Sequence, residues 1–330
     1  MKNKRLITIL CLLVAVVIVA IGFQSFSKST KDNTENTAKV GVLQFVTHEA
    51  LDTIYKGIKA GLKEEGYSGE NLKIDFLNAE ADQSKIATMS QTLVNHKNDV
   101  LIGIATPAAQ GLANATSNIP VVMGAVTDPV GAKLVKSLEK PEGNVTGVSD
   151  KTPIASQIEL MKTLLPDAKT IGVIYSSSED NSKLQVEEFK KLAKEQGYEV
   201  QDYSVPSTNE ITTTMSVMLP KVDAVWVPLD NTIASAFSSV VMPAKEAKKP
   251  IFPSVDNMVE EGGLASVYID QYQLGVETGR MAAKLLSGKK VSELPVEVIK
   301  KGKPVINTRV ANELGITIPD DIKSSAKMVK

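Results

Sequence analysis

The sequence predicts an α/β protein of two similar doubly wound parallel-sheet domains with a ligand cleft between them. Three observations predict this. First, the chain repeats itself 131 residues apart. Lys39-Val40-Gly41-Val42-Leu43 opens a segment that closes at Gly66-Tyr67, and Thr170-Ile171-Gly172-Val173-Ile174 opens one that closes at Gly197-Tyr198. Second, short β-branched runs alternate with helical patterns through both halves, as in parallel sheets covered by helices. Third, a length of 330 residues suits two ordinary domains. Two like domains form a cleft, and clefts between domains are preferred ligand sites.

The elements follow in order. Residues 40–45 are a β-branched run that reads as a buried strand. Ile54, Ile58 and Leu62 at helical spacing predict a helix over 54–65, ended by Gly66. A strand over 73–77 and a helix over 84–95, with Ile86, Met89, Leu93 and Val94 apolar, come next. Strands are expected at 100–105, 121–126 and 145–148, and a helix at 106–115 with Pro107 in its first turn, where proline fits. The second half repeats the order, with strands at 171–175, 198–205, 224–228, 251–253 and 264–269. Its helices are expected at 181–196, 209–218 and 232–247. A helix over 274–287, a strand over 305–307 and a tail complete the body.

Ahead of the body, residues 6–23 form an uncharged apolar run preceded by Lys2, Lys4 and Arg5. Such a run is a signal peptide or membrane anchor that leaves the amino terminus inside and exports the body. Residues 24–38 are polar and read as a flexible tether. Net charge is −1, and −4 once the three leader cations are set aside. No basic patch suggests nucleic acid. The only cysteine is Cys11, inside the apolar run, so the body has no disulfide and no thiolate metal site. Thr8-Ile9-Leu10 before it is not the small pair of a lipoprotein signal, so lipid attachment there is not expected.

Ligands of doubly wound sheets meet the loops at the carboxyl ends of strands. That rule selects Gln44 and Phe45, Thr106-Pro107-Ala108, and Thr127-Asp128 in the first half. In the second it selects Ser177, Ser178 and Asn181, then Asp230-Asn231, then Asp256. Thr106-Pro107-Ala108 opens a helix, whose free N–H groups favour a carboxylate; a plain cap by Thr106 is the other reading. Asp230 is the repeat's counterpart of Thr106. An acid facing a hydroxyl-bearing twin suits a zwitterion, although Asp230 or Asn231 could simply cap the helix that follows. Asp128 before Pro129 also reads as an ordinary turn. Phe45 is the candidate to stack on a ligand. His48 and His96 are the only histidines, and no second histidine or cysteine joins His48, so no metal is expected. The chain has no Gly-x-Ser-x-Gly elbow, no Gly-x-Gly-x-x-Gly and no Walker loop, so neither a nucleophilic enzyme nor a cofactor is expected.

Gly41-Val42-Leu43-Gln44-Phe45, Ala105-Thr106-Pro107-Ala108-Ala109-Gln110, Thr127-Asp128-Pro129-Val130-Gly131-Ala132 and Gly143-Asn144-Val145-Thr146-Gly147-Val148 together resemble the tryptophan/tyrosine-binding group of ABC importer substrate-binding proteins. Tyr175-Ser176-Ser177-Ser178-Glu179-Asp180-Asn181-Ser182 and Pro228-Leu229-Asp230-Asn231-Thr232 carry the same resemblance. It implies a periplasmic-binding-protein-like fold of type I with three crossovers. The first domain would be residues 39–148 plus about 270–290, and the second 149–269 plus about 291–330, hinged near Val148, Ile269 and Val291. It also implies an extracytoplasmic protein of a Gram-positive cell surface that takes an aromatic amino acid, tryptophan first, to an ABC permease and its ATPase. An enzyme using the same cleft, or a ligand-sensing co-receptor, are the alternative readings.

Overall fold

The computed structural model describes residues 37–299 and 302–330. The apolar run at 6–23 and all but the last two residues of the tether lie outside them. The chain begins β1 (Ala38–Gln44), α1 (Glu49–Glu64), β2 (Leu72–Asn78), α2 (Gln83–Asn95), β3 (Val100–Ile104), α3 (Thr106–Ala115), β4 (Val121–Gly124) and β5 (Val145–Ser149). It continues α4 (Ile154–Leu164), β6 (Thr170–Ser176), α5 (Asp180–Glu195), β7 (Glu199–Val205), α6 (Ile211–Met218), β8 (Ala224–Val227), α7 (Asn231–Ser235), α8 (Ser238–Glu246), β9 (Ile251–Pro253), α9 (Asp256–Glu260) and β10 (Ala265–Tyr268). Then come α10 (Gln271–Leu286), β11 (Glu297–Val298), β12 (Lys303–Asn307), α11 (Thr308–Glu313), α12 (Asp320–Ser325) and β13 (Lys327–Val329).

The internal repeat is a repeat of topology. The first sheet has the order β11-β5-β4-β3-β1-β2 and the second β7-β6-β8-β9. In each, the opening strand lies between the second and the third, all parallel. Val42 sits between Phe76 and Ile102, and its counterpart Val173 between Asp202 and Trp226. Each sheet has its own core. Val40, Val42, Ile102, Ile104, Val121 and Met123 fill the first; Ile171, Val173, Phe189 and Trp226 fill one side of the second. Phe189 and Trp226 stack at 4.1 Å, and the indole N–H of Trp226 donates to Gln157 Oε1 at 2.9 Å.

The expected two-sheet α/β architecture is borne out, with three crossovers. They follow β5, β10 and β11. The third comes later than the expected position near Val291, because Glu297–Val298 still pair with Val148 and Ser149 in the first sheet. The second half is also not one parallel sheet. β10, β12 and β13 form a third, three-stranded sheet in which β10 and β12 run antiparallel. β12 enters on the return from the first half, so it reaches β10 from the opposite direction. The helix expected over 232–247 is two, broken at Ala236. Pro243 inside α8 lacks the N–H that would bond the preceding turn.

The crossover helix α10 is fastened to the first sheet through α1. Gly57 and Gly61 face Gly275 and Gly279 with no room for a side chain. A Cβ on Gly57 would lie 2.2 Å from the Tyr272 carbonyl oxygen, and one on Gly279 would lie 2.2 Å from that of Ile58. The two backbones therefore pack directly. Ile54, Ile58 and Leu62 on α1 and Leu274, Met281 and Leu285 on α10 are buried beside this seam. Each such side chain contributes roughly 1.5–3 kcal/mol by leaving water.

Candidate functional site

A cavity of about 420 Å³, mouth included, lies between the two sheets at the carboxyl ends of their strands. Ala50, Leu51, Pro228, Leu229, Ala234, Val255 and Met258 make its apolar wall. His48, Ala125, Thr127, Asp150, Asn181, Asp230, Asn231 and Gln271 supply the rest. Its residues come from both halves and from two crossovers, Asp150 after β5 and Gln271 at the start of α10.

Buried atoms without a partner identify what the cavity offers. Asp150 Oδ1, Asn181 Oδ1 and His48 Nδ1 are buried and make no hydrogen bond. Leaving a buried polar group unmade costs about 1–3 kcal/mol, so three of them in one cavity point to a ligand rich in donors. Asp150 is 4% exposed, and burial pushes its carboxyl up to about 6 against the hydrogen bonds of Thr127 and its own backbone. Asn181 donates its amide to the Leu229 carbonyl at 2.7 Å, which leaves its oxygen turned the other way. Burial holds the His48 imidazole down at about 4, despite its bond to Asn231 and the nearby Asp52 carboxylate, so the ring is neutral at neutral pH.

Asp230 lines the cavity, but its oxygens are already engaged. Oδ2 accepts from Ser176 N at 2.6 Å, and Oδ1 caps α7 by accepting from Ile233 N at 2.8 Å. Burial, and then the charge of Glu179, push its carboxyl well above the usual carboxylate range. Glu179, fully buried, takes the remaining donors of that helix start. Its Oε1 accepts from Thr232 N and Oγ1 at 2.8 Å each, and its Oε2 from the Asn231 side-chain amide at 2.6 Å. The acid expected to meet a ligand's ammonium at this helix start is therefore engaged by the protein itself.

Of the other expected site residues, Thr127, Asn181 and Asn231 line the cavity. Phe45 does not. It is fully buried in the first core, so it cannot stack on a ligand. Gln44 is buried behind the wall, donating to the Val46 carbonyl and to Asp52. Thr106 and Ala108 are buried at the start of α3, and Pro107 faces a separate surface hollow with Gln83 and Gln110. Asp128 shapes its turn by accepting from Gly131 N at 2.8 Å and faces an adjoining hollow. The Ser177 hydroxyl donates to the Val205 carbonyl, and Ser178 pairs with Ser176. Asp256 is tied to Lys327 outside the cavity. His48 stands in the loop after the first strand that the same rule selects, whereas Asp150 and Gln271 escape it, although Asp150 also stands at a strand's carboxyl end.

Among the described residues, three side-chain bonds join the halves across the cleft. His48 Nε2 meets Asn231 Oδ1 at 3.2 Å, Gln83 Nε2 donates to the Ser178 carbonyl at 3.2 Å, and Gln110 Nε2 reaches Asp180 at 3.5 Å.

A family profile described as ABC transporter substrate binding protein matches residues 39–330. A tyrosine-binding protein of Clostridioides difficile (strain R20291) is 41% identical over 287 residues, covering 87% of this chain and 83% of that protein. The crystal structure of an ABC domain from Streptococcus pneumonia in complex with L-Trp shares 60% identity at a TM-score of 0.88, covering 89% of this chain and 100% of that one. The ligand-free, open structure of a substrate binding protein with adhesive properties from Clostridium difficile shares 38% identity at a TM-score of 0.68, covering 89% and 99%.

Proposed function

The chain belongs to the ABC transporter substrate binding protein family, and on that premise we propose that its cavity captures the zwitterion of an aromatic amino acid, tryptophan first, then tyrosine or phenylalanine. Proteins of this family work outside the cytoplasm and hand their solute to a membrane permease driven by an ATPase. One observation carries the reading: a buried Asp150 carboxylate oxygen without a partner, in a cavity that also has a wall of apolar side chains. A carboxylate so placed calls for a cation, and an aliphatic wall calls for an apolar body attached to it. The Asp150 and Asn181 oxygens would take the ammonium. The Ala125–Thr127 turn, with Ala125 at a φ of 59°, would face the carboxylate. The ring would lie against Leu51, Leu229, Val255 and Met258. This moves the ammonium from Asp230 to Asp150, and the carboxylate from the start of α3 to the turn after β4.

The ligands of the relatives, tyrosine and L-Trp, support the class. Two lobes joined by three crossovers would close on ligand by hinge motion about them, the common response of such binding proteins. No helix among the described residues is long and apolar enough to cross a membrane. The apolar run at 6–23, which lies outside them, would hold the body at the outer face of the cytoplasmic membrane.

Calorimetric titration of the full chain, purified in mild detergent, with tryptophan, tyrosine, phenylalanine, leucine and glutamate tests the reading. Heat of binding from the aromatic amino acids and none from glutamate is expected. Binding of glutamate or of leucine in preference to all three aromatics would overturn it.

A further inference from the structure

We propose that His48 reads a hydrogen-bond donor on the ligand's side chain, the indole N–H of tryptophan or the phenol O–H of tyrosine, and so sets the preference for these over phenylalanine. This rests on the reading of the cavity as an aromatic amino-acid site.

A chain of hydrogen bonds fixes the proton on the imidazole. The Asn231 amide nitrogen donates to the Glu179 carboxylate at 2.6 Å, so Asn231 cannot be turned over. Its Oδ1 must then face His48, and Oδ1 only accepts. Nε2 of His48, 3.2 Å away, is therefore the N–H of the neutral ring. Nδ1 is left as a bare acceptor, buried in the cavity wall with no partner. His48 stands at the N-cap position of α1, yet its ring makes no cap hydrogen bond. The side chain is turned across the cleft instead.

Position separates this acceptor from the ammonium site. Thr127 and Asn181 line both the cavity and the adjoining hollow that also carries Ser149 and Lys151, the two neighbours of Asp150. That end holds Asp150. Ala50 and Gln271 line both the cavity and a different hollow, with Glu49. His48 precedes Glu49 and Ala50 in the chain and belongs to this second end. An amino acid with its ammonium at Asp150 extends its side chain toward His48. A bare acceptor in the part of the wall away from Asp150 favours a ring with a polar hydrogen and disfavours a ring without any, because the acceptor would stay buried and unpaired.

The test uses a ligand pair of one shape. Tryptophan is compared with its 3-benzothienyl analogue, in which sulfur replaces the indole N–H, by calorimetric titration of the full chain. Tyrosine is compared with phenylalanine in parallel. The parent is expected to prefer the donor-bearing member of each pair by about 10- to 100-fold, the usual range for one buried acceptor left unpaired. In His48→Leu both preferences should shrink to within about threefold, through weaker binding of the donor-bearing members. His48→Asn, which keeps an acceptor near the Nδ1 position, should restore part of them. If the parent binds tryptophan and its analogue equally, the inference about His48 is overturned while the aromatic site stands; this holds even should the variants fail to fold. If His48→Leu weakens all four ligands alike, His48 touches the shared zwitterion, and the inference is again overturned. If none of the four binds, the aromatic site and the inference fall together.

Discussion

Replacing Asp150 by asparagine should move ligand affinity and stability in opposite directions. With the cleft closed as here, the Asp150 carboxylate is buried and its Oδ1 accepts no hydrogen bond from the protein. Burial raises its pKa from 3.8 to about 6. A raised carboxyl pKa means that the folded protein holds the proton more tightly than the unfolded chain. The associated stability is present below pH 3.8 and is lost as pH rises through about 6. At pH 7 the group is ionised in both states, and holding its pKa at about 6 in place of 3.8 costs the fold about 3 kcal/mol. Asparagine keeps the size and removes the charge, while its amide still needs partners. The ligand-free variant should therefore be more stable at pH 7 by about 1–3 kcal/mol, which is roughly 2–4 °C in Tm for each kcal/mol. Its affinity for tryptophan should fall by about 2–5 kcal/mol, the range for removing one member of a buried charge pair, or roughly 30-fold to several-thousand-fold. Thermal unfolding without ligand and calorimetric titration with it, both at pH 7, measure the two changes. A variant that binds tryptophan like the parent refutes the ammonium assignment. A variant that is less stable without ligand refutes the argument that the buried Asp150 charge costs the fold stability.

The remaining predictions can be stated briefly. Asp230→Asn turns an N–H₂ toward one of two backbone donors, so it should lower stability by about 1–3 kcal/mol while weakening tryptophan binding less than Asp150→Asn does; the reverse ranking in titration would restore Asp230 as the ammonium partner. Because a proton on Asp150 competes with the ligand's ammonium, tryptophan affinity should be level above about pH 7 and fall up to about tenfold per pH unit below about 6, with the slope much reduced in Asp150→Asn. Burial lowers the His48 pKa from 6.5 to about 4, so the fold loses stability as pH falls through that window, opposite in sign to Asp150. Chemical denaturation between pH 6.5 and 4 should thus show a steeper acid loss in Asp150→Asn than in the parent. Gly279→Ala places a methyl group against the Ile58 carbonyl oxygen and should cost about 1–3 kcal/mol or more; a variant as stable as the parent in denaturant would show that the α1–α10 seam can open without cost.

Much of the fold was legible because its signals are local. The alternation of β-branched runs with amphipathic stretches marks the strands and helices of both sheets, and the repeat predicts that β1 and β6 hold the same place in them. What escaped was short or non-local. β11 has two residues, and its pairing with Val148 and Ser149 depends on a partner nearly 150 positions away, which no periodicity reports. α9, α11 and α12 have five or six residues, too few to show a helical period. The cavity was legible as a place, at the strand ends of both halves. It was less legible as a set of side chains, because loop residues such as Thr106 and Ser177 can turn either into the cleft or into the protein.

The choice between Asp150 and Asp230 shows what decides such a case. Both follow parallel strands, and the repeat favoured Asp230 as the counterpart of Thr106. A side-chain carboxylate at the start of a helix is claimed by the N–H groups two and three residues on. For Asp230 the third is Ile233, whose N–H it accepts. For Asp150 the third is Pro153, which has no N–H to give, and α4 begins only at Ile154. The fold therefore satisfies Asp230 and leaves an oxygen of Asp150 bare. Asp128 obeys the same rule: its third residue is Gly131, whose N–H it accepts. An acid at the end of a parallel strand with proline three residues later is thus deprived of its usual local partner, and it is the one free to meet a cation brought in from outside.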